Sequence, residues 1–152
     1  MNLTHKIRLY PNRQQTQALQ RACGVARFTY NYALAQWKQE YEAGNKPTAM
    51  QLKKQFNAIK AEQFPWIYES PKDCNQQPFT NLNKAFQRFF KTKNGYPKFK
   101  KRGARDSFYI SNDKASFVDK QIKLPLIGKV KLAEQPRFKG KIMSFVVSKD
   151  VD

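Results

Sequence analysis

From Leu3 to Tyr10 the chain alternates, with Leu3, His5, Ile7 and Leu9 on one side and Thr4, Lys6, Arg8 and Tyr10 on the other. A period of two predicts a half-buried strand, which Pro11 ends. Asn12, followed three residues later by Gln15, is a capping-box signature that opens a helix. The period then changes. Leu19, Ala22, Cys23, Ala26, Tyr30, Ala33, Leu34, Trp37 and Tyr41 recur at spacings of three and four, predicting one long helix over residues 12–43 that Gly44-Asn45 stops.

Thr48 and Gln51, after Pro47, repeat the capping logic and predict a helix over 48–62 with Leu52, Phe56 and Ile59 on one face. Phe64-Pro65-Trp66-Ile67-Tyr68 reads as an aromatic connector. Ser70, Pro71 and Asp73 supply an N-cap, a first-turn proline and a carboxylate suited to the helix dipole, predicting a helix over 71–92. Pro78 should kink or restart it, and Phe79, Leu82, Phe86, Phe89 and Phe90 form its apolar stripe.

After Asn94-Gly95 the character changes to short β-rich runs: Phe108–Ser111, Ser116–Val118, Ile122–Leu124, Lys129–Leu132 and Ile142–Ser148, separated by Asn-Asp, Asp-Lys, Pro and Gly punctuation. The expected fold class is therefore α+β: a small antiparallel β-barrel, oligonucleotide-binding-like, with an α-helical domain inserted after the first strand. The expected organisation is 1–11 as the first strand, 12–95 as the helical domain and 96–152 as the rest of the barrel. No internal repeat suggests otherwise.

Charge narrows the function. Lys and Arg number 29 against 11 Asp and Glu, a net +18, and such self-repulsion in a folded chain points to a polyanionic partner. An apolar fraction of 40% and an aromatic fraction of 14% argue for a packed core rather than disorder. No apolar run approaches the roughly 20 residues of a bilayer span, and the polar start Met1-Asn2-Leu3-Thr4-His5-Lys6 is unlike a signal peptide, so a cytoplasmic protein without membrane attachment is expected. Cys23, Cys74 and His5 cannot make a tetrahedral zinc site, and the cysteines read as small buried apolar residues.

The excess charge concentrates between Lys84 and Arg105, where Lys84, Arg88, Lys91, Lys93, Lys98, Lys100, Lys101, Arg102 and Arg105 occur without an acidic residue. Phe86, Phe89, Phe90, Tyr96 and Phe99 interleave with them, a pattern that can join phosphate neutralisation to base stacking. Phe86 and Phe89 read as a buried helix face, whereas Tyr96 and Phe99 lie in a linker and are candidate binding residues. Lys6, Arg8, Arg13, Arg21 and Arg27 form a second basic set, and Lys120, Lys123, Lys129, Lys131, Arg137, Lys139 and Lys141 a third. Of these, Lys6, Arg8, Arg13, Arg27, Lys129 and Lys131 are expected to touch nucleic acid. Catalysis lacks a basis, because metal-dependent phosphodiester cleavage needs converging carboxylates and the acids here are scattered. Asp106, Asp113 and Asp119 come nearest to a set, and the latter two sit in turn-like contexts. No catalytic residue, metal or cofactor is expected.

Several ordered motifs resemble the TnpB/OrfB proteins of bacterial insertion sequences. They are Lys6-Ile-Arg-Leu-Tyr-Pro11; Cys23-Gly-Val-Ala-Arg-Phe-Thr-Tyr-Asn-Tyr-Ala-Leu34; Phe64-Pro-Trp-Ile-Tyr-Glu69; Leu82-Asn-Lys-Ala-Phe-Gln-Arg-Phe-Phe90; Gly95-Tyr-Pro-Lys-Phe-Lys-Lys101; and Ile122-Lys-Leu-Pro-Leu-Ile-Gly-Lys-Val-Lys131. The resemblance implies a wedge barrel, a helical recognition domain long described as helix-turn-helix, and kinship with type V CRISPR effectors. It implies guide-type RNA from the protein's own locus and double-stranded DNA as partners, and a RuvC-like nuclease beyond Asp152. On that reading this chain binds without cutting; the alternatives are a nuclease-deficient repressor, a split enzyme completed by a separate nuclease chain, and an inactive remnant.

Overall fold

The computed structural model describes residues 3–137 and 139–150; Met1, Asn2 and Asp152, read above, lie outside them. Strand β1 is Leu9–Tyr10, followed by the long helix α1, Arg13–Glu42. Its start is the predicted box: Asn12 Oδ1 accepts from the Gln15 amide at 2.8 Å, and Gln15 Oε1 accepts from the Asn12 amide at 3.0 Å. Helix α2, Ala49–Gln63, is capped by Thr48, whose hydroxyl accepts from the Gln51 amide at 3.2 Å.

The third helical region differs from expectation. Instead of one helix from 71, a 3-10 turn at Pro65–Glu69 and a second at Lys72–Asn75 precede helix α3, Gln77–Thr92. Ser70 does not act as the N-cap; it ends the first of these turns. Asp73 is drawn into a tertiary contact, accepting from the backbone amide and hydroxyl of Ser111 at 2.9 and 3.1 Å. Pro78 restarts the helix as anticipated, sitting in the first turn of α3, where its missing N–H costs nothing.

The remaining strands are β2 (Ser107–Ser111), β3 (Ser116–Val118), β4 (Gln121–Leu124), β5 (Gly128–Leu132) and β6 (Ser144–Ser148). They form an antiparallel four-stranded sheet, order β1-β5-β4-β3, and a two-stranded sheet, β2-β6. The first strand does join the later ones, pairing Leu9 with Leu132 and Tyr10 with Lys131. It is much shorter than the Leu3–Tyr10 run, since β5 ends at Leu132 and only the Ala133 amide, donating to the Arg8 carbonyl at 2.9 Å, extends the pairing.

The barrel expectation is corrected: among the described residues the two sheets do not close into one ladder. They meet through side chains instead, with Phe117 of β3 against Phe145 of β6 at 5.7 Å between ring centroids. A three-residue β3 leaves little backbone with which to continue the ladder.

One apolar core runs through both parts, from Ala22, Leu34, Phe56 and Phe86 in the helices to Phe108, Ile110, Leu124 and Val130 in the strands. Trp37 of α1 stacks on Phe86 of α3 at 4.0 Å and 13°. The helices thereby form a rigid block against which β2 and the segment entering it are held.

Candidate nucleic-acid interface

The linker between α3 and β2, residues 93–106, is fastened to α1. Asn31 makes two bonds with one residue of it: its Oδ1 accepts from the Lys100 amide at 2.7 Å, and its Nδ2 donates to the Lys100 carbonyl at 3.0 Å. Aromatic and cationic side chains extend the seam. Lys100 Nζ lies 4.7 Å from the Tyr30 ring centre, and Lys38 Nζ lies 4.7 Å from that of Phe99 and 5.5 Å from that of Tyr96. Tyr96 meets Phe86 and Phe89 edge-on at 5.5 and 5.0 Å. Tyr96 and Phe99 nonetheless remain 41% and 48% exposed, so these linker aromatics are held in place yet accessible.

Beside this seam a cleft of about 130 Å³ separates α1, the start of α3 and β2. Its lining runs from the buried thiols of Cys23 and Cys74 to the exposed cations Lys100, Lys101 and Arg105, with Tyr30, Tyr109, Gln77 and Asn81 between. Burial pushes the Cys23 thiol up to about 11, assisted by the Asp106 carboxylate, and pushes Cys74 up further still. Neither thiol is a ready nucleophile, which fits their reading as buried apolar residues. The cleft thus offers cations, amides and phenols, groups that hold phosphates and read base edges, beside the carboxylates of Asp73 and Asp106, which are engaged by Ser111 and Arg27.

A second basic surface is the exposed face of the four-stranded sheet. Lys129 and Lys131 alternate with the buried Val130 and Leu132 on β5. Cross-strand partners share a face, so Lys131 stands between Tyr10 and Gln121, and Lys129 opposes Lys123 directly. Arg8 lies 6.0 Å from the Tyr10 ring centre and continues the row. Directly opposed lysines repel, an arrangement that favours an anionic partner on that face.

The other expected residues fall as follows. Lys84, Arg88 and Lys91 are exposed on α3, and Lys93 caps it in the left-handed conformation, φ 61°. Lys98 and Arg102 are exposed on the linker, and Arg13 is exposed in the first turn of α1. Two residues are engaged within the chain. Lys6 pairs with Asp150 at 2.9 Å, and Arg27 bonds Asp106 at 3.0 Å with both side chains mostly buried. The sequence reading missed Lys38, Gln77, Asn81 and Tyr109. For Lys38 a signal existed: it lies seven and eight positions after Asn31 and Tyr30, on their side of the helix. Among the described residues no group of three or more His, Cys, Asp or Glu could hold a metal ion, and no helix is long and apolar enough to cross a membrane.

The first 46 residues match the helix-turn-helix domain model of OrfB proteins from IS605-type elements. In the structure that segment holds β1, α1 and the turn after it, with α2 beginning just beyond. Over 149 residues the chain is 32% identical to InsQ of Escherichia coli (strain K12), named as a candidate RNA-guided DNA endonuclease. The alignment covers 94% of this chain but 36% of InsQ, so the chain spans about a third of that relative's length. Both similarities support a place for the chain in the TnpB/OrfB family of insertion-sequence proteins.

Proposed function

We propose that this chain is a nucleic-acid-recognition part of a TnpB-type, RNA-guided DNA-targeting system, binding guide RNA, target DNA or both. The observation that carries the reading is the fastened linker: Lys100, Lys101 and Arg105 border a cleft lined with amides and phenols, and Lys98 and Arg102 lie exposed on the same segment beside the accessible Tyr96 and Phe99. Cations neutralise phosphates and release their counterions, while exposed rings stack on bases. The sheet face with Arg8, Lys129 and Lys131 supplies a second phosphate-binding surface, with Arg13 nearby at the start of α1: Gln15, in the same turn, donates to the Lys129 carbonyl at 2.7 Å. Lys84, Arg88, Lys91 and Lys93 extend the cleft's positive field along α3. Arg27 serves this interface by holding the linker's end. Lys6 joins through exchange of its exposed Asp150 partner for phosphate. The name of InsQ supports RNA and DNA as the partners. The reading assigns binding, and no bond cleavage, to these residues.

The test is filter binding of the purified chain, over a salt series, to a structured RNA from its own locus, to an unrelated RNA of equal length, and to duplex DNA. Locus-preferring binding with a steep salt slope is expected. Changing Lys98, Lys100, Lys101 and Arg102 together to Ala should reduce that slope by up to about four contacts' worth. An unchanged slope in that variant places the linker outside the interface.

A further inference from the structure

On the apolar side of α2, four positions after Phe56 and eight after Leu52, stands Lys60. It is 8% exposed. Its ammonium donates to Asn75 Oδ1 at 3.0 Å and lies 5.7 Å from the Tyr68 ring centre. Asn75 is itself fully enclosed, and its Oδ1 also accepts from Gln76 Nε2 at 2.7 Å. Both partners of Lys60 are uncharged, and no ion pair among the described residues involves it. Burial and the neighbouring charges of Lys72 and Lys53 push its proton affinity down.

Lys60 and Lys72 line one concavity of about 430 Å³ with Tyr68, Ser70, Asn75 and Leu126, the last from the β4–β5 turn. An enclosed cation without a counter-charge is costly, and a second cation beside it adds to the cost. An anion entering the concavity relieves both. A tetrahedral phosphate suits the space, because ammonium groups are point-like donors that accept it from several directions.

We propose that Lys60 and Lys72 form an anion site for one phosphate group of a nucleic-acid backbone, at the junction of the helical block and the β4–β5 turn. This rests on the nucleic-acid-binding reading and adds a contact that lies outside the linker, the cleft and the sheet face.

The experiment is the same salt series on duplex DNA with three single variants of the full chain: Lys60→Gln, Lys72→Gln and Lys54→Gln. Lys54 lies on α2 but outside the concavity and reports the effect of losing one charge. Lys72 is exposed, so its variant keeps the fold even if Lys60→Gln does not. The expected result is that Lys72→Gln, and Lys60→Gln where it folds, each lower the slope of log affinity against log salt by about 0.9, while Lys54→Gln leaves it unchanged. Equal slopes for Lys72→Gln and wild type, or an equal drop for Lys54→Gln, overturn the site and leave the general reading standing. A wild-type chain with no salt-dependent binding to duplex DNA overturns the site, and one that binds neither RNA nor DNA overturns both.

Discussion

The guanidinium of Arg27, in the middle of α1, lies 3.0 Å from a carboxylate oxygen of Asp106, the residue that leads into β2. The same carboxylate accepts from the Gly103 amide at 3.2 Å, so one acid fixes both the end of the linker and its attachment to the helix. Arg27→Ala or Asp106→Asn should therefore cost about 1–3 kcal/mol, the range for a charged hydrogen bond lost from a mostly enclosed site. Urea unfolding of both single variants and the double variant measures this. Strict additivity would show that the two residues do not act as a pair.

Trp37 and Phe86 join α1 to α3 through a stacked pair at the centre of the helical block. Phe86→Ala should destabilise the chain by about 3–5 kcal/mol. A shift in the denaturation midpoint smaller than that of a surface substitution would contradict the packing.

The two thiols should behave as buried groups. With Cys23 pushed up to about 11 and Cys74 higher, alkylation at pH 8 should be slow in the folded chain and rapid in denaturant. Mass spectrometry over time gives the answer, and prompt modification of either cysteine in the native state contradicts its enclosure.

Acid stability should depend in part on Glu134. Its carboxyl is held below the ordinary 4.5 by hydrogen bonds from His5 and then Arg137. The His5 ring bridges the two residues, with Nδ1 3.1 Å from the Arg137 amide nitrogen and Nε2 3.2 Å from Glu134 Oε1. Because the folded pKa is depressed, this contribution is present above 4.5 and lost as pH falls through the lower folded value. Glu134→Gln should thus show a shallower loss of stability below pH 4.5 than the wild type, followed by circular dichroism at a series of pH values.

Removing the linker's fastening should separate binding from charge. Asn31→Ala deletes both bonds to Lys100 while keeping every cation. The Lys100 amide should exchange faster with solvent, and affinity for nucleic acid should fall by about fivefold, equivalent to about 1 kcal/mol, at an unchanged salt slope.

Much of this was legible along the chain where a local signal decides the outcome. Asn12 and Gln15 cap α1 because both bonds of the box lie within four residues. The β-runs after Gly95 appear within one residue of their expected ends, except β6, which starts two residues late, at Ser144 rather than Ile142. Illegible were outcomes set by distant partners. Ser70 looked like a cap, but Asp73 is committed to Ser111, across 38 residues, and the backbone there turns as 3-10 instead. Leu3 to Arg8 has a strand's alternation, yet a strand exists only where another is long enough to pair with it. In the site, the cations of the linker lie exposed, whereas Arg27 and Asp106 revealed themselves as a pair only once α1 and β2 were side by side. Lys60 lies at the same helical spacing as Leu52 and Phe56, a regularity that marks it as enclosed despite its charge.

The two bonds between Asn31 and Lys100 also bear on how quickly and tightly a ligand can be held. A free basic segment must surrender backbone freedom when it binds, at about 1–2 kcal/mol for each residue fixed. Here that ordering at Lys100 is completed when the chain folds, so the linker meets its ligand preorganised, and the attraction of its charges goes into affinity rather than into restraining the main chain.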